Sequence, residues 1–366
     1  MMRGMIIDAV RLASFRLPVS YVSALEPRVP GRRLIEARAG AAVAVFDVDR
    51  VAGGAAEPLA AFPGPGEPTG NPAVAPDLSL AVWPGMTAVH AIAANGTTVW
   101  TARHPCRVCG EVHNSADEYA DDMDHRSPED SGSAAFAADG RTVWVHVRGD
   151  LLDTPSLPLA PPGPSPADDD SIEQWVIVAA ADGSVLARTG TDSWGVGSQQ
   201  LPYPDPAVMG LGIGEGQDGS AVLIGRLLED GLETTRLEGD DRVLIALGPD
   251  HFLTVRHGGT TDLRVHRLAD LGVTSELVSA DLAEASPESD WDYYVAPLDN
   301  RTYVASTSHH GHAEDDIQHW LIDVVDGVVR GQVRYPVAVG SQLTGFGDGT
   351  WLTAGSEADF ALWCLP

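Results

Sequence analysis

Two short stretches of the chain carry residue types that do chemistry at close spacing. The first is His104-Pro-Cys106-Arg-Val-Cys109-Gly110-Glu-Val-His113. Two cysteines separated by two residues and followed by glycine have the shape of a zinc knuckle, a tight turn on which backbone amides can approach sulfur. His104 and His113 bring the set to four soft or borderline ligands, which tetrahedral Zn2+ accepts. A finger carries its second ligand pair a dozen or more residues away. That pair is missing, and Asp121, Asp122 and His125 are the nearest substitutes. Three readings stay open: a structural zinc, another metal role, or two reduced thiols in a loop. The second stretch is Ser308-His309-His310-Gly311-His312-Ala-Glu314-Asp315-Asp316. His309, His310 and His312, with the carboxylates of Glu314, Asp315 and Asp316, could bind a transition metal or act as a pH-sensitive face. No fixed ligand spacing is met, and a solvated polar loop is the simpler reading.

Other patterns fail on context. Gly214-Glu-Gly216-Gln-Asp-Gly219 matches the dinucleotide glycines, but a strand pattern follows it, and the phosphate-binding helix end is missing. Ser193 in Gly190-Thr-Asp-Ser-Trp-Gly195 is one residue off a nucleophile elbow. Asp47-Val-Asp49 and Asp168-Asp-Asp170 lack the glycine and terminal glutamate of a calcium loop. No motif names a nucleophile or general base, so catalytic residues stay unassigned.

Charge narrows the partner. Asp and Glu number 52 against 23 basic residues, a formal net charge of −29. Every basic residue is arginine, which excludes a lysine Schiff base and the P-loop lysine. The acidic balance argues against nucleic acid and anionic membranes and for a basic protein partner, a cationic ligand or a metal.

The elements that must position these residues repeat. A turn-forming pair followed by a β-rich run recurs at Gly31, Gly96, Gly140, Gly219, Asp250, Asn300 and Gly349, about 53 residues apart on average. Asp-Gly and Asn-Gly between apolar runs signal a hairpin, because both residues tolerate positive φ. Each copy is read as strands A and B of a unit. A second hairpin, C and D, is read around Asp182-Gly183 and Asp326-Gly327. Four antiparallel strands per unit make the blade of a β-propeller. The chain is therefore expected to be all-β, a seven-bladed propeller forming one domain over residues 1–366. The last unit lacks a D strand, and the N-terminal run Met5–Leu12 is expected to supply it and close the ring, removing open sheet edges. Trp100, Trp144, Trp175, Trp320, Trp351 and Trp363 are expected to pack between blades. Residues 63–77, 104–130 and 151–172 are expected to be long loops, the first and last for their prolines. In the second repeat, 104–130 stands where strands C and D should follow.

These units resemble the WD-repeat-like β-propellers, at the level of architecture. The Gly-His and Trp-Asp dipeptides of that class are missing from their usual places, and no subfamily or functional residue carries over.

B–C and D–A connections emerge on one face of such a disc. Residues 104–130, 150–172, 257–261 and 308–316, each read as following a B strand, should crowd there. The expected function is a non-catalytic interaction scaffold whose acidic, His-rich face binds a basic partner, with Asp121, Asp122, Glu314, Asp315 and Asp316 as contacts and zinc stiffening the cysteine loop. The alternative is a metal-dependent hydrolase or lyase with the ion over the channel. A small-molecule site in the central pocket rests on fold analogy alone. No apolar run reaches the roughly 18 residues of a membrane span. The charged N-terminus is read as part of the folded chain, and three cysteines suit a reducing cytoplasm.

Overall fold

In the computed structural model, the alternating runs pair into hairpins and the hairpins into seven sheets among the described residues. Those residues are 5–19, 21–39, 41–66, 69–106, 111–113, 118, 132–152, 173–193, 195–216, 219–237, 241–257, 261–282, 289–309, 317–355 and 358–366.

Two strands come first, β1 (Ile6–Asp8) and β2 (Val10–Arg16). Blade 1 is β3 (Ser23–Ala24), β4 (Leu34–Ala39), β5 (Ala42–Asp47) and β6 (Ala60–Pro63). One short helix, α1 (Val48–Ala52), interrupts it, capped by the Asp47 carboxylate accepting from the Asp49 and Arg50 amides. Blade 2 is β7 (Ala73–Val74), β8 (Leu80–Pro84), β9 (Ala88–Ala93) and β10 (Thr98–Arg103); blade 3 is β11 (Ser133–Phe136), β12 (Thr142–Arg148), β13 (Glu173–Ala179) and β14 (Val185–Gly190). Blade 4 is β15 (Gly197–Pro202), β16 (Val208–Gly214), β17 (Ser220–Leu228) and β18 (Gly231–Arg236); blade 5 is β19 (Arg242–Leu247), β20 (His251–Arg256), β21 (Asp262–Arg267) and β22 (Val273–Val278). Blade 6 is β23 (Ser289–Pro297), β24 (Thr302–His309), β25 (Gln318–Asp323) and β26 (Val328–Arg334). Blade 7 is β27 (Leu343–Gly345), β28 (Thr350–Ala354) and β29 (Asp359–Cys364), and β2 is its outermost strand.

Successive blades touch all the way round, blade 7 meeting blade 1 through β27 and β3. The closure differs in detail from the sequence expectation. The closing strand is β2, antiparallel to β29, while β1 runs parallel to β26 of blade 6. The N-terminal segment thus stitches two blades.

Two hairpins belong to a different phase of the blade than the sequence suggested. The Asn95-Gly96 turn joins β9 to β10, the C and D strands, and Gly219 lies between β16 and β17, strands B and C. Blade 2 is complete. Its A strand, β7, lies inside the Pro-rich 63–77 stretch read as loop, where Ala73 and Val74 are buried. Residues 104–130 therefore connect blade 2 to blade 3.

Packing is organised by seams. Each adjoining pair of blades shares its own cluster of buried apolar side chains, from Leu25, Val74 and Trp83 between blades 1 and 2 to Leu17, Ile35 and Leu352 between blades 7 and 1. Tryptophans bridge several of them, as expected. Trp100 of blade 2 donates its indole N–H to Ala180 O of blade 3 at 2.9 Å. Gly183 beside it has φ +72°, and a Cβ there would meet the Trp100 ring at 2.8 Å. Trp291 of blade 6 donates to Leu277 O of blade 5 at 2.8 Å. Within blades 6 and 7, Trp320 and Trp363 on strand C donate to Thr307 and Thr353 on strand B.

Candidate functional site

Chain direction fixes which loops share a face. In every blade the A–B and C–D turns lie on one side of the disc, and the B–C and D–A connections on the other. Residues 104–131 follow strand D rather than B, yet a D–A connection emerges on the same face as the B–C connections at 149–172, 257–261 and 310–317. The described necks of the first two loops touch. Leu152 N–H donates to Arg103 O at 2.6 Å. The Pro105 ring lies so close to Gly149 that a Cβ there would meet it at 2.9 Å.

Of the first chemical stretch, His104 and Cys106 are fully buried. His104 donates Nδ1–H to Pro105 O at 2.8 Å, leaving Nε2 as the basic nitrogen, the form in which imidazole binds a metal. Cys106 N–H donates to Glu111 O at 2.8 Å. His113 Nδ1 lies 3.3 Å from the Glu118 carboxylate. Cys109, Asp121 and Asp122 lie outside the described residues. Of the second stretch, the His309 backbone ends β24 opposite Ser289. His310, His312, Glu314, Asp315 and Asp316 lie outside the described residues. Among the described residues no group of three or more His, Cys, Asp and Glu is placed to hold a metal. The described necks of the two stretches sit at the blade 2–3 junction and on blade 6, half the ring apart.

The structure assembles a polar constellation on this face that no motif announces. His146, near the end of β12, is wholly buried, with Nδ1 3.0 Å from Ser198 Oγ at the start of β15. Its Nε2 is 3.1 Å from Glu173 Oε2 at the start of β13, a close approach not aligned along the ring N–H. Trp175 donates its indole N–H to Gln200 Oε1 at 2.9 Å, which turns the amide nitrogen toward Ser133. Gln200 Nε2 donates to Ser133 O at 2.9 Å and to Ser133 Oγ at 3.2 Å. The Ser133 and Ser198 hydroxyls are hydrogen-bonded to one another at 2.7 Å, and Ser198 Oγ is bonded in turn to His146 Nδ1. Ser198 also lines a cavity of about 240 Å³ with Arg38 and Asn71. These residues come from three blades and the connections between them, and no local spacing could have flagged them.

No family model matches the chain, and no curated protein matches it. Among solved structures it is similar to the β-propeller domain of Cps50 (Swd1) from Myceliophteria thermophila, with a TM-score of 0.56 over 98% of this chain and 100% of that one, at 9% identity. The fold is that of a WD-repeat-like β-propeller. At such identity the likeness bears on the fold alone.

The propeller's central channel is another concave surface. Innermost strands of blades 1, 4, 5, 6 and 7 line a cavity of about 210 Å³ with Tyr21, Tyr293, Glu26 and Arg28 on its wall. Burial, with the nearby Glu26 carboxylate adding to it, pushes Glu36 up to about 7 against the bond from Ser23. Among the described residues no helix is long and apolar enough to cross a membrane.

Proposed function

We propose that this propeller is a protein-interaction scaffold that captures a basic partner on the face formed by its B–C and D–A connections. The observation that carries the reading is topological: the long acidic connections at 104–131, 149–172 and 310–317 leave the ring on one side. A chain of net charge −29 that gathers carboxylates on one face attracts cationic surfaces and speeds their association. Asp121, Asp122, Glu314, Asp315 and Asp316 are the proposed contacts. The Cys106–Cys109 turn is proposed to hold a structural zinc with His104 and His113. The basic tautomer of His104 and the burial of Cys106 support it. Such an ion would stiffen the loop, not act on a substrate.

The test is fluorescence anisotropy with a labelled oligoarginine peptide, titrated across ionic strength. Affinity should fall steeply with salt, as screening weakens exposed charge pairs. It should also fall when Asp121 and Asp122, or Glu314, Asp315 and Asp316, become their amides. Binding that ignores both salt and those substitutions would overturn the reading. Elemental analysis of the purified chain and of Cys106→Ser tests the zinc.

A further inference from the structure

We infer that Ser198 is an activated nucleophile that cleaves small acyl esters, with His146 as its general base. This goes beyond the binding role and stands on different residues.

A nucleophilic hydroxyl is recognised by a base within hydrogen-bond reach and a third group that orients the base. Ser198 Oγ lies 3.0 Å from His146 Nδ1, and Glu173 lies 3.1 Å from the other ring nitrogen. In the neutral imidazole that accepts from the Ser198 hydroxyl at Nδ1, the proton sits on Nε2, the nitrogen 3.1 Å from Glu173. The imidazolium formed on proton transfer would lie against the Glu173 carboxylate, which is itself buried. A network that only held strands together would need no open space beside the serine, yet Ser198 borders the 240 Å³ cavity. Gly70, Gly132 and Gly197 in the same wall contribute no side chains and leave room for a substrate. Asn71 donates Nδ2–H to Ser198 O at 2.9 Å and pins the start of β15 at the cavity edge. Arg38 also lines it, tethered by its bonds to Gly70 O and Thr69. Its charge is available to the negative oxygen that grows as a carbonyl is attacked.

The chemistry balances with water as the only co-reactant. Ser198 Oγ bonds to the acyl carbon as its proton passes to His146 Nδ1. The ester C–O bond breaks, and the departing alkoxide takes that proton. Water then attacks the acyl-serine and gives a proton to Nδ1. Release of the carboxylic acid returns the proton to Ser198. The cavity is below the roughly 300–1,000 Å³ of drug-sized sites, so the acyl group is short. Glu173 acts as a positioning residue.

The experiment treats the full chain with a fluorophosphonate probe and with p-nitrophenyl acetate. A single phosphonyl adduct on Ser198, mapped by mass spectrometry, is expected. Ester turnover should fall by about 10²-fold or more in Ser198→Ala and in His146→Gln, the range of general-base loss. Glu173→Gln should lower the pH midpoint of labelling, because the imidazole loses its carboxylate, a change that a merely structural role would not produce. Mapping on the unaltered chain keeps the test independent of whether the variants fold. No adduct on the folded chain, an adduct elsewhere, or labelling of Ser198→Ala at the unaltered rate would overturn the inference.

Discussion

Trp175 and Gly225 face one another across the seam between blades 3 and 4, so closely that a Cβ on the glycine would lie 2.6 Å from indole carbon Cζ3. Trp144 stands beside it, 2.8 Å from the same position, and its ring crosses that of Trp175 with centroids 5.0 Å apart. Both indoles are fully buried and have no space to retreat. Gly225→Ala should therefore destabilise the fold by about 1–3 kcal/mol, the usual cost of overpacking. Urea unfolding at equilibrium measures it. An unchanged midpoint would mean that the seam has slack the structure does not show.

That seam also shows what the sequence could and could not reveal. Trp144 and Trp175 in alternating runs beside Asp-Gly turns were enough to predict strands, hairpins and interblade packing. The phase of a hairpin within its blade was not. Asn95-Gly96 joins C to D, whereas Asp139-Gly140 joins A to B, yet both present the same chemistry to a two-strand turn. Ala73–Val74 is too short to leave a period and is flanked by prolines. The constellation around His146 was illegible for another reason. Ser133 and His146 are register partners on neighbouring strands of blade 3, Glu173 begins the next strand, and Ser198 comes from blade 4, so sheet pairing and a blade contact, not spacing along the chain, bring them together.

The closing strand makes a second prediction. Phe15 on β2 stacks on Phe360 of β29 with centroids 6.0 Å apart, and Arg16 pairs with Asp359. Deleting residues 1–16 would leave β29 as an open edge with its ladder groups unpaired. The truncated chain should melt at a lower temperature and elute as aggregates in size-exclusion chromatography. A monomer with the parent melting temperature would show that β2 is dispensable to closure.

Glu36 links stability to alkaline change. Burial raises its pKa to about 7 from 4.5. Between those values the folded chain keeps a proton that the unfolded chain has released, so stability falls as pH rises from about 4.5 to 7 and levels off above. Glu36→Gln should remove this slope and be more stable than the parent at pH 8. Denaturation midpoints at pH 5 and pH 8 decide it, and a parent slope that survives in Glu36→Gln would assign it to another group.

His319 works in the opposite direction. Burial between β25 and the segment carrying Tyr335 lowers its pKa to about 3, with Nδ1 2.8 Å from the Tyr335 hydroxyl. The unfolded chain takes up a proton below about 6.5 that the folded chain refuses. Stability is therefore present above that pH and is lost as pH falls toward 3. His319→Phe should flatten the acid limb of thermal melts recorded from pH 7 to pH 4. An identical limb in the variant would place the acid sensitivity elsewhere.

Arg242 tests how this acidic chain tolerates a buried cation. Its side chain is 2% exposed, Nε donates to Thr254 Oγ1 at 2.6 Å, and Nη1 donates to Asp262 Oδ2 at 2.6 Å. Nη2 donates to the carbonyls of Thr254 and Asp262 at 2.9 and 3.1 Å. Removing the Asp262 carboxylate takes a charged acceptor from a guanidinium that water hardly reaches. Asp262→Ala should cost about 3–5 kcal/mol, the range for breaking a buried pair. Arg264, 3.3 Å from the same Asp262 oxygen, would lose a partner too. Replacing both buried charges, Arg242→Met with Asp262→Ala, should cost less than Asp262→Ala alone, because the buried cation leaves with its carboxylate. A double-mutant cycle by urea denaturation measures the coupling, and simple additivity would show that Arg242 is solvated well enough to stand without Asp262.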